Sequence, residues 1–405
     1  MSKKNLFPLF HEQALTSQLL VVFTACLLLL GCNSKNPKTG IGIDGQSEFY
    51  GIDFVKCFNT EQQMFISEIA DTVEYIELKT PYDIVIANIR DVILFGDSLL
   101  LKSMGIVYLF HKSGQFIRQI GAKGQGPGEY LTAIEIAVDK KKKEIIVQKR
   151  GGLLYYNFDG VFLRSINHPF YFVSFGEISD SIIWYADQIA TNEQKYKAFA
   201  IPSNGDVDTL TSIPNEYYGK KTSGDQAVVL DIRVFYFYHY NGSLYFKGNS
   251  SNDMIWKLSG LDATPYAHIN MGKYKLPFEY EPWVSHDEYM RNSDRYLAVK
   301  SVQEDDSYFF LFSLPKVKIV YDKKTKKGFT AKDKHGAGLT DDILGGPPLW
   351  PIWASDDYYM NAIEAVNLLE EVEAGDYSPA APLKELLSRI DEDTNQILIL
   401  CRKKK

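Results

Sequence analysis

The stretch "IGAKGQGPGEYLTAIEIAVD", residues 120–139, decides the fold. Four glycines, Gly121, Gly124, Gly126 and Gly128, surround Pro127, and Glu129-Tyr130 precede an alternating apolar run. So many glycines admit three readings: a phosphate cradle, a catalytic loop, or a turn between two strands. A Walker loop needs Gly-Lys-Ser/Thr opening a helix, and a dinucleotide fingerprint also needs a helix after its glycines. Here "AIEIAVD" alternates with the period of a strand. Turn chemistry remains. Pro127 presets φ for the second position of a turn, and Gly128 supplies the positive φ that a type II turn needs next. Gly124 and Gly126 let the backbone pass close to a neighbour, and Glu129 leads out of the turn. The stretch reads as the connection that leaves one small sheet and enters the next.

The sequence on either side repeats. "FHKSGQFIRQI" (110–120) aligns without gaps on "YNFDGVFLRSI" (156–166), with Gly114 and Gly160 spaced 46 apart. A weaker copy, "FAIPSNGDVDTL" (199–210), places Gly205 another 45 residues on, and residues 255–269 and 319–331 echo it. Each copy has an apolar run, a polar tip and a second alternating run, the pattern of a hairpin. Upstream of the copies lie further strand pairs, at 91–103, 133–148, 172–186 and 234–248. Four strands in about 45 residues make a propeller blade. The expected fold is all-β: a six-bladed β-propeller with four-stranded antiparallel blades. "VEYIEL" (73–78) is a lone alternating strand that can complete the last blade and so hide two open edges. Ala362, Ala365, Val366 and Leu369, then Leu383, Leu386, Leu387 and Ile390, recur at helical spacing. They predict two short helices inserted in the last blade. Residues 270–300 predict a longer, partly helical excursion between strands.

Composition agrees with this and sets limits. Of 405 residues, 45% are apolar and 14% aromatic, enough for a large core and rich in residues that suit a pleated surface. Net charge is −7, and without a basic stripe the chain is a poor partner for nucleic acid. The lysine clusters at 139–144 and 321–329 read as solvated hairpin tips, and "RKKK" (402–405) as a frayed tail.

Lys3 and Lys4 precede an apolar run at 19–32 that is short for a membrane span and ends in Leu29-Leu30-Gly31-Cys32. That ending resembles the bacterial lipobox. The resemblance implies a signal peptide at 1–31, cleavage before Cys32, and lipid attachment at Cys32. Residues 1–31 carry Lys3, Lys4 and Glu12, so a chain beginning at Cys32 has a charge of −8. Residues 32–70 then read as tether and lead-in, and 71–405 as the propeller domain. Cys57 and Cys401 remain. A disulfide is open to them in an oxidising compartment, but two separate buried thiols are the favoured reading.

The glycine-rich string followed by "AVD" resembles the NHL repeat. It is also similar to the six-bladed β-propeller lipoproteins of Bacteroidetes. Phe116-Ile117-Arg118 through Tyr130, Gly345-Gly346-Pro347 with Trp350-Pro351, and Cys32 carry that resemblance, over roughly residues 70 to 400. What it implies is a fold and an address: the cell envelope, lipid-anchored, at an outer membrane. Asn33-Ser34-Lys35 lacks the acidic run common just after the cysteine in surface-exposed members, which points the chain towards the periplasm. The resemblance supplies no catalytic residues.

Chemistry is sparse. Seven histidines form no His-x-x-x-His or comparable cluster, so no spacing supports a divalent metal or another cofactor. Gly-x-Ser-x-Gly is absent. Asp341-Asp342 and Asp356-Asp357 suit turn caps better than calcium or hydrolysis. Propellers bind ligands through loops at one mouth of the central channel. The richest loops are 278–291, with Tyr280, Trp283 and His286, and 335–358, with His335, Asp341, Trp350, Trp353 and Asp357. Aromatic faces beside acids suit a sugar or a peptide, while Trp350 and Trp353 could equally pack between blades. Arg118 and Arg164, at equivalent repeat positions, read as structural inter-blade pairs. Two functions follow. The leading one is a binding or scaffold module for a glycan, peptide or envelope protein. The other is a lyase or hydrolase acting on a saccharide or lactone through channel-facing acids or a divalent metal.

Overall fold

A computed structural model describes residues 49–405 apart from 169–172, 180–181, 188–194, 205, 207, 216–217, 220–235, 249–253, 276–294, 315 and 376. Six antiparallel sheets form a six-bladed propeller. Blade 1 runs through strands Ile89–Phe95, Ser98–Ser103, Ile106–His111 and Phe116–Ile120. Blade 2 follows with Ile136–Asp139, Glu144–Lys149, Gly152–Asn157 and Phe162–Asn167. Blade 3 is Val173–Ser179, Ile182–Asp187, Tyr196–Pro202 and Thr211–Pro214. Blade 4 is Tyr236–Tyr240, Ser243–Lys247, Met254–Ser259 and Asp262–Asn270. Blade 5 is Ala298–Glu304, Tyr308–Leu314, Val317–Asp322 and Lys327–Asp333. In blade 6, Trp353–Ala354, Tyr358–Ile363 and Ile397–Lys403 come from the end of the chain, and the outer strand is Ala70–Glu77. A strand from ahead of blade 1 thus closes the last blade, and Trp353–Ala354 touches the inner strands of both blade 5 and blade 1.

The core follows from this geometry. The central strands bury residues on both faces, since each blade has a neighbour on either side, whereas the outer strand Phe162–Asn167 has none fully buried. Six apolar clusters result, one per interface. Trp184, Ala198 and Ile213 of blade 3 meet Leu244, Phe246 and Leu258 of blade 4, and Ile145, Val147 and Tyr156 of blade 2 meet Leu100, Val107 and Leu109 of blade 1. Two of the repeat glycines, Gly114 and Gly160, sit where a hairpin tip touches the previous blade, and the third, Gly205, lies outside the described residues. Gly114 abuts Glu77 and Gly160 abuts Arg118 and Ile120.

The opening stretch links blades 1 and 2. Glu129 N donates to Gly126 O at 3.0 Å across Pro127-Gly128, and Gly128 has φ +71°. Ala122–Lys123 pairs in parallel with Glu129–Tyr130. The Glu129 carboxylate accepts from Gly126 N at 2.9 Å, so a Cβ on Gly124 would strike it.

Several expectations need correction. The sheet-bound chain begins at Tyr50 rather than near residue 71. Tyr50–Asp53 adds a parallel fifth strand to blade 4, and Glu61–Gln62 pairs with blade 5. Their brevity hid them: four and two residues carry no readable period. The terminal "RKKK" is not frayed at its start, because Arg402 and Lys403 pair with blade 6's outer strand. Arg118 does bridge blades, donating to Asp159 O. Arg164 does not: it forms a bidentate pair with Glu144 of its own blade, at 2.6 and 2.8 Å, over the Tyr155 ring. The inserted helices are Ala365–Ala374 and Ala381–Leu387, between the second and third strands of blade 6. Their buried residues are Ala365, Leu368, Leu383 and Leu386; Val366 is exposed, because Leu368 takes the inward position. Cys57 and Cys401 are free, buried in different clusters, and burial raises their thiols to about 11 and about 12. Among the described residues no helix is long and apolar enough to cross a membrane.

Candidate functional site: a cleft between the last two blades

The helical insertion and the loop 338–352 leave a cleft of about 770 Å³ between blades 5 and 6. Blade 5 contributes Phe312, Lys316 and Lys318, its outer hairpin His335, the loop Pro347 to Trp350, blade 6 Tyr75 and Ile399, and the helix Leu368 and Glu371. Alternation in "KVKIV" places Lys318 between the flanking apolar positions of a central strand.

Lys318 is the polar centre of this lining. Its Nζ donates to Ala337 O at 2.8 Å and lies 5.8 Å from the Trp350 ring. Burial lowers its ammonium to about 8; Glu371 pulls it up and Lys316 pushes it down further. Trp350 is 3% exposed, packs edge-on against Phe310, and keeps its Nε1–H buried with no acceptor among the described residues. An unsatisfied buried donor costs about 1–3 kcal/mol. At the rim, the His335 ring lies 4.1 Å from that of Tyr377, whose hydroxyl is raised to about 12 by burial and Glu371.

Asp341 is occupied. Its carboxylate accepts from Ile343 N, Leu344 N, Gly346 N and the Tyr75 hydroxyl at 2.9–3.3 Å. Burial raises its carboxyl against those bonds, and Tyr75 is raised by burial and by the Asp341 charge. The aspartate therefore shapes the Gly345-Gly346-Pro347 loop and holds Tyr75 in the cleft wall.

The structure brings together only part of the candidate set. His335 and Trp350 line the cleft, and Asp341 supports it from behind. Trp353 packs instead between blades 6 and 1. Asp357 lies at the other end of its hairpin, where its carbonyl accepts from Lys403 N and its carboxylate is 3.7 Å from Lys405 Nζ. Loop proximity in sequence misled here: Ile352 lines the cleft, but the two-residue strand Trp353–Ala354 then carries the chain away to the turn that holds Asp357. Tyr280, Trp283 and His286 lie outside the described residues, as does Cys32. Sequence reasoning missed Lys318, Glu371, Tyr75 and Tyr377. For Lys318 the signal was available: a lysine interrupting an apolar strand. Among the described residues no three His, Cys, Asp or Glu side chains gather as a metal ion would require.

Solved structures of similar fold include a Bacteroides fragilis protein assigned as exported, 21% identical with a TM-score of 0.66, covering 88% of this chain and 100% of that one. A member of the DUF4221 family from Bacteroides vulgatus is 14% identical with a TM-score of 0.48, covering 82% of this chain and 97% of that one. BamB from Moraxella catarrhalis, 12% identical with a TM-score of 0.36, covers 59% of this chain and 63% of that one. No curated protein matches this chain. The match to the domain of unknown function DUF4934 spans residues 49–402, nearly the whole described propeller, and the chain belongs to that family.

Proposed function

We propose that this protein is an exported, lipid-anchored propeller of the cell envelope that binds a ligand or partner rather than transforming it. The cleft between blades 5 and 6 carries this reading: it is concave, largely apolar, and has a few polar groups at fixed points, as ligand sites do. Most of its lining has no hydrogen-bonding capacity, which favours a ligand or peptide segment with an apolar body over a bare glycan. The lipobox-like ending at Cys32 and the exported assignment of the B. fragilis relative support the address. The outer membrane, the periplasmic side and the boundary at Cys32 are part of the same proposal. Several acyl chains on Cys32 would anchor the chain stably, where one alone would not.

Two measurements test it. The full chain is screened on glycan and peptide arrays, with Phe312→Ala as the cleft-altered control; specific capture by the native protein and its loss in the variant are expected. Cells expressing Cys32→Ser are fractionated, and the protein is expected to leave the membrane fraction. Retention of Cys32→Ser in the membrane would remove the anchor from the reading.

A further inference from the structure

We propose that the cleft between blades 5 and 6 binds a small-molecule carboxylate with an apolar body, its carboxylate on Lys318. This deepens the binding reading above and rests on it.

The donors and acceptors of the cleft are unequal. Lys318 has three N–H donors, and its one hydrogen bond among the described residues goes to Ala337 O at 2.8 Å. Its other neighbours do not complete it. Lys316 repels it, and Trp350 offers only a ring 5.8 Å away. The Trp350 Nε1–H, which has no acceptor among the described residues, is buried within the wall rather than open to the cleft. On the other side of the balance, Glu371 is the one carboxylate among the described lining residues, and it is exposed on its helix; Asp376, between the lining residues Gly375 and Tyr377, lies outside the described residues. His335, Tyr377 and Tyr75, which also line the cleft, bring no negative charge in their ordinary states.

A half-buried ammonium with two donors that no described residue takes up is what an incoming carboxylate completes. Burial disfavours the charged lysine, and an opposite charge at contact distance restores it. Most of the remaining wall is apolar, with Phe312, Pro348, Leu349, Ile363, Leu368 and Ile399, and Ser301 and Asn361 are its other polar side chains. A hydroxyl-rich sugar buried there would leave most of its groups unsatisfied, whereas an apolar body would not. A volume of about 770 Å³ falls in the range of small-molecule pockets.

The test is calorimetric titration of the purified full chain with 4-phenylbutyrate and with its neutral amide, 4-phenylbutanamide. The acid is expected to bind at least about tenfold more tightly than the amide at pH 7. Lys318→Met is expected to erase that preference while leaving the unfolding midpoint unchanged or raised, since it removes a buried charge. Glu371→Gln is expected to strengthen acid binding about threefold by removing the competing anion. Raising the pH from 7 to 9 should weaken the acid several-fold and leave the amide unaffected, as Lys318 loses its proton. Equal binding of acid and amide, or a preference that survives Lys318→Met, overturns the carboxylate inference and leaves the binding reading standing. A free-acid tripeptide that binds more than about tenfold tighter than phenylbutyrate replaces the small molecule with a peptide terminus. If neither probe binds, the inference fails, and the arrays decide the broader reading separately.

Discussion

Gly114 lies so close to Glu77 that a Cβ placed on it would come 2.1 Å from the Glu77 carbonyl oxygen. The two belong to opposite ends of the ring. Gly114 is the hairpin tip of blade 1, and Glu77 ends the strand that completes blade 6. Lys79 N donates to Gly114 O at 2.9 Å, and Phe116 N to Lys79 O at 3.1 Å, so the closure is a backbone seam. Gly114 also has φ +87°. Gly114→Ala therefore meets two costs, conformational strain and a forced backbone shift, on the order of 3 kcal/mol together. Gly242, at φ +67° with nothing within 4 Å, meets strain alone, and Gly242→Ala should cost roughly 1–2 kcal/mol. Urea unfolding of both variants checks this. Equal losses would mean that the seam contributes nothing.

The same seam shows what could be read from sequence. Gly114 and Gly160 were visible as a repeat because each is needed at the same point of the same contact, so selection for a tight inter-blade approach writes a period into the chain. Closure by residues 73–78 was legible because a lone alternating strand must find a partner. The cleft was not legible in the same way. Tyr75 and Ile399 are separated by more than three hundred residues, and Lys318 reaches them only because blades 5 and 6 are adjacent. His335 and Trp350 stood out through residue type, but type alone could not separate Trp350, in the cleft wall, from Trp353, in the opposite interface.

Tyr130, in the stretch that links blades 1 and 2, is tied at its hydroxyl. It donates to Ile120 O at 2.6 Å and accepts from Val107 N at 3.1 Å, and burial raises it to about 12. Tyr130→Phe leaves a buried carbonyl and a buried amide unpaired. Thermal and urea unfolding should show a loss of about 1–3 kcal/mol. Tyr82, fully exposed, serves as comparison, and Tyr82→Phe should be silent. A silent Tyr130→Phe would show that the hydroxyl does not hold the turn.

Blades 4 and 5 meet around a buried carboxylate. Glu304 accepts from Lys323 Nζ at 2.6 Å, Tyr266 at 2.8 Å and Tyr238 at 2.9 Å. Burial still pushes its carboxyl up against those three donors. Removing either charge strands the other: Glu304→Leu or Lys323→Met alone should cost about 3–5 kcal/mol. The double variant, which leaves no uncompensated charge, should cost less than either single change. A double-mutant cycle by urea unfolding measures the coupling, and strict additivity would refute the pairing.

Lys300 of blade 5 carries a cost rather than a benefit. Its ammonium is lowered to about 7 by burial and, further, by Lys247 of blade 4. An unfolded lysine titrates near 10.4. Between about 7 and 10.4 the unfolded chain holds a proton that the folded chain has released, so this residue makes stability rise with pH across that window. Below about 7 both states are protonated, and the penalty is full and constant. Lys300→Met removes it. The variant should be more stable than the native protein by on the order of 1–2 kcal/mol at pH 6, a figure reduced for the solvent that still reaches this half-buried group. The advantage should shrink steadily from pH 7 towards pH 10. The other lowered lysines, Lys318 and Lys403, are present in both proteins and cancel in the difference. Urea unfolding at pH 6, 8 and 9.5 reads the effect. An advantage that is flat with pH would place it in packing, and one that grows with pH would reverse the assigned sign.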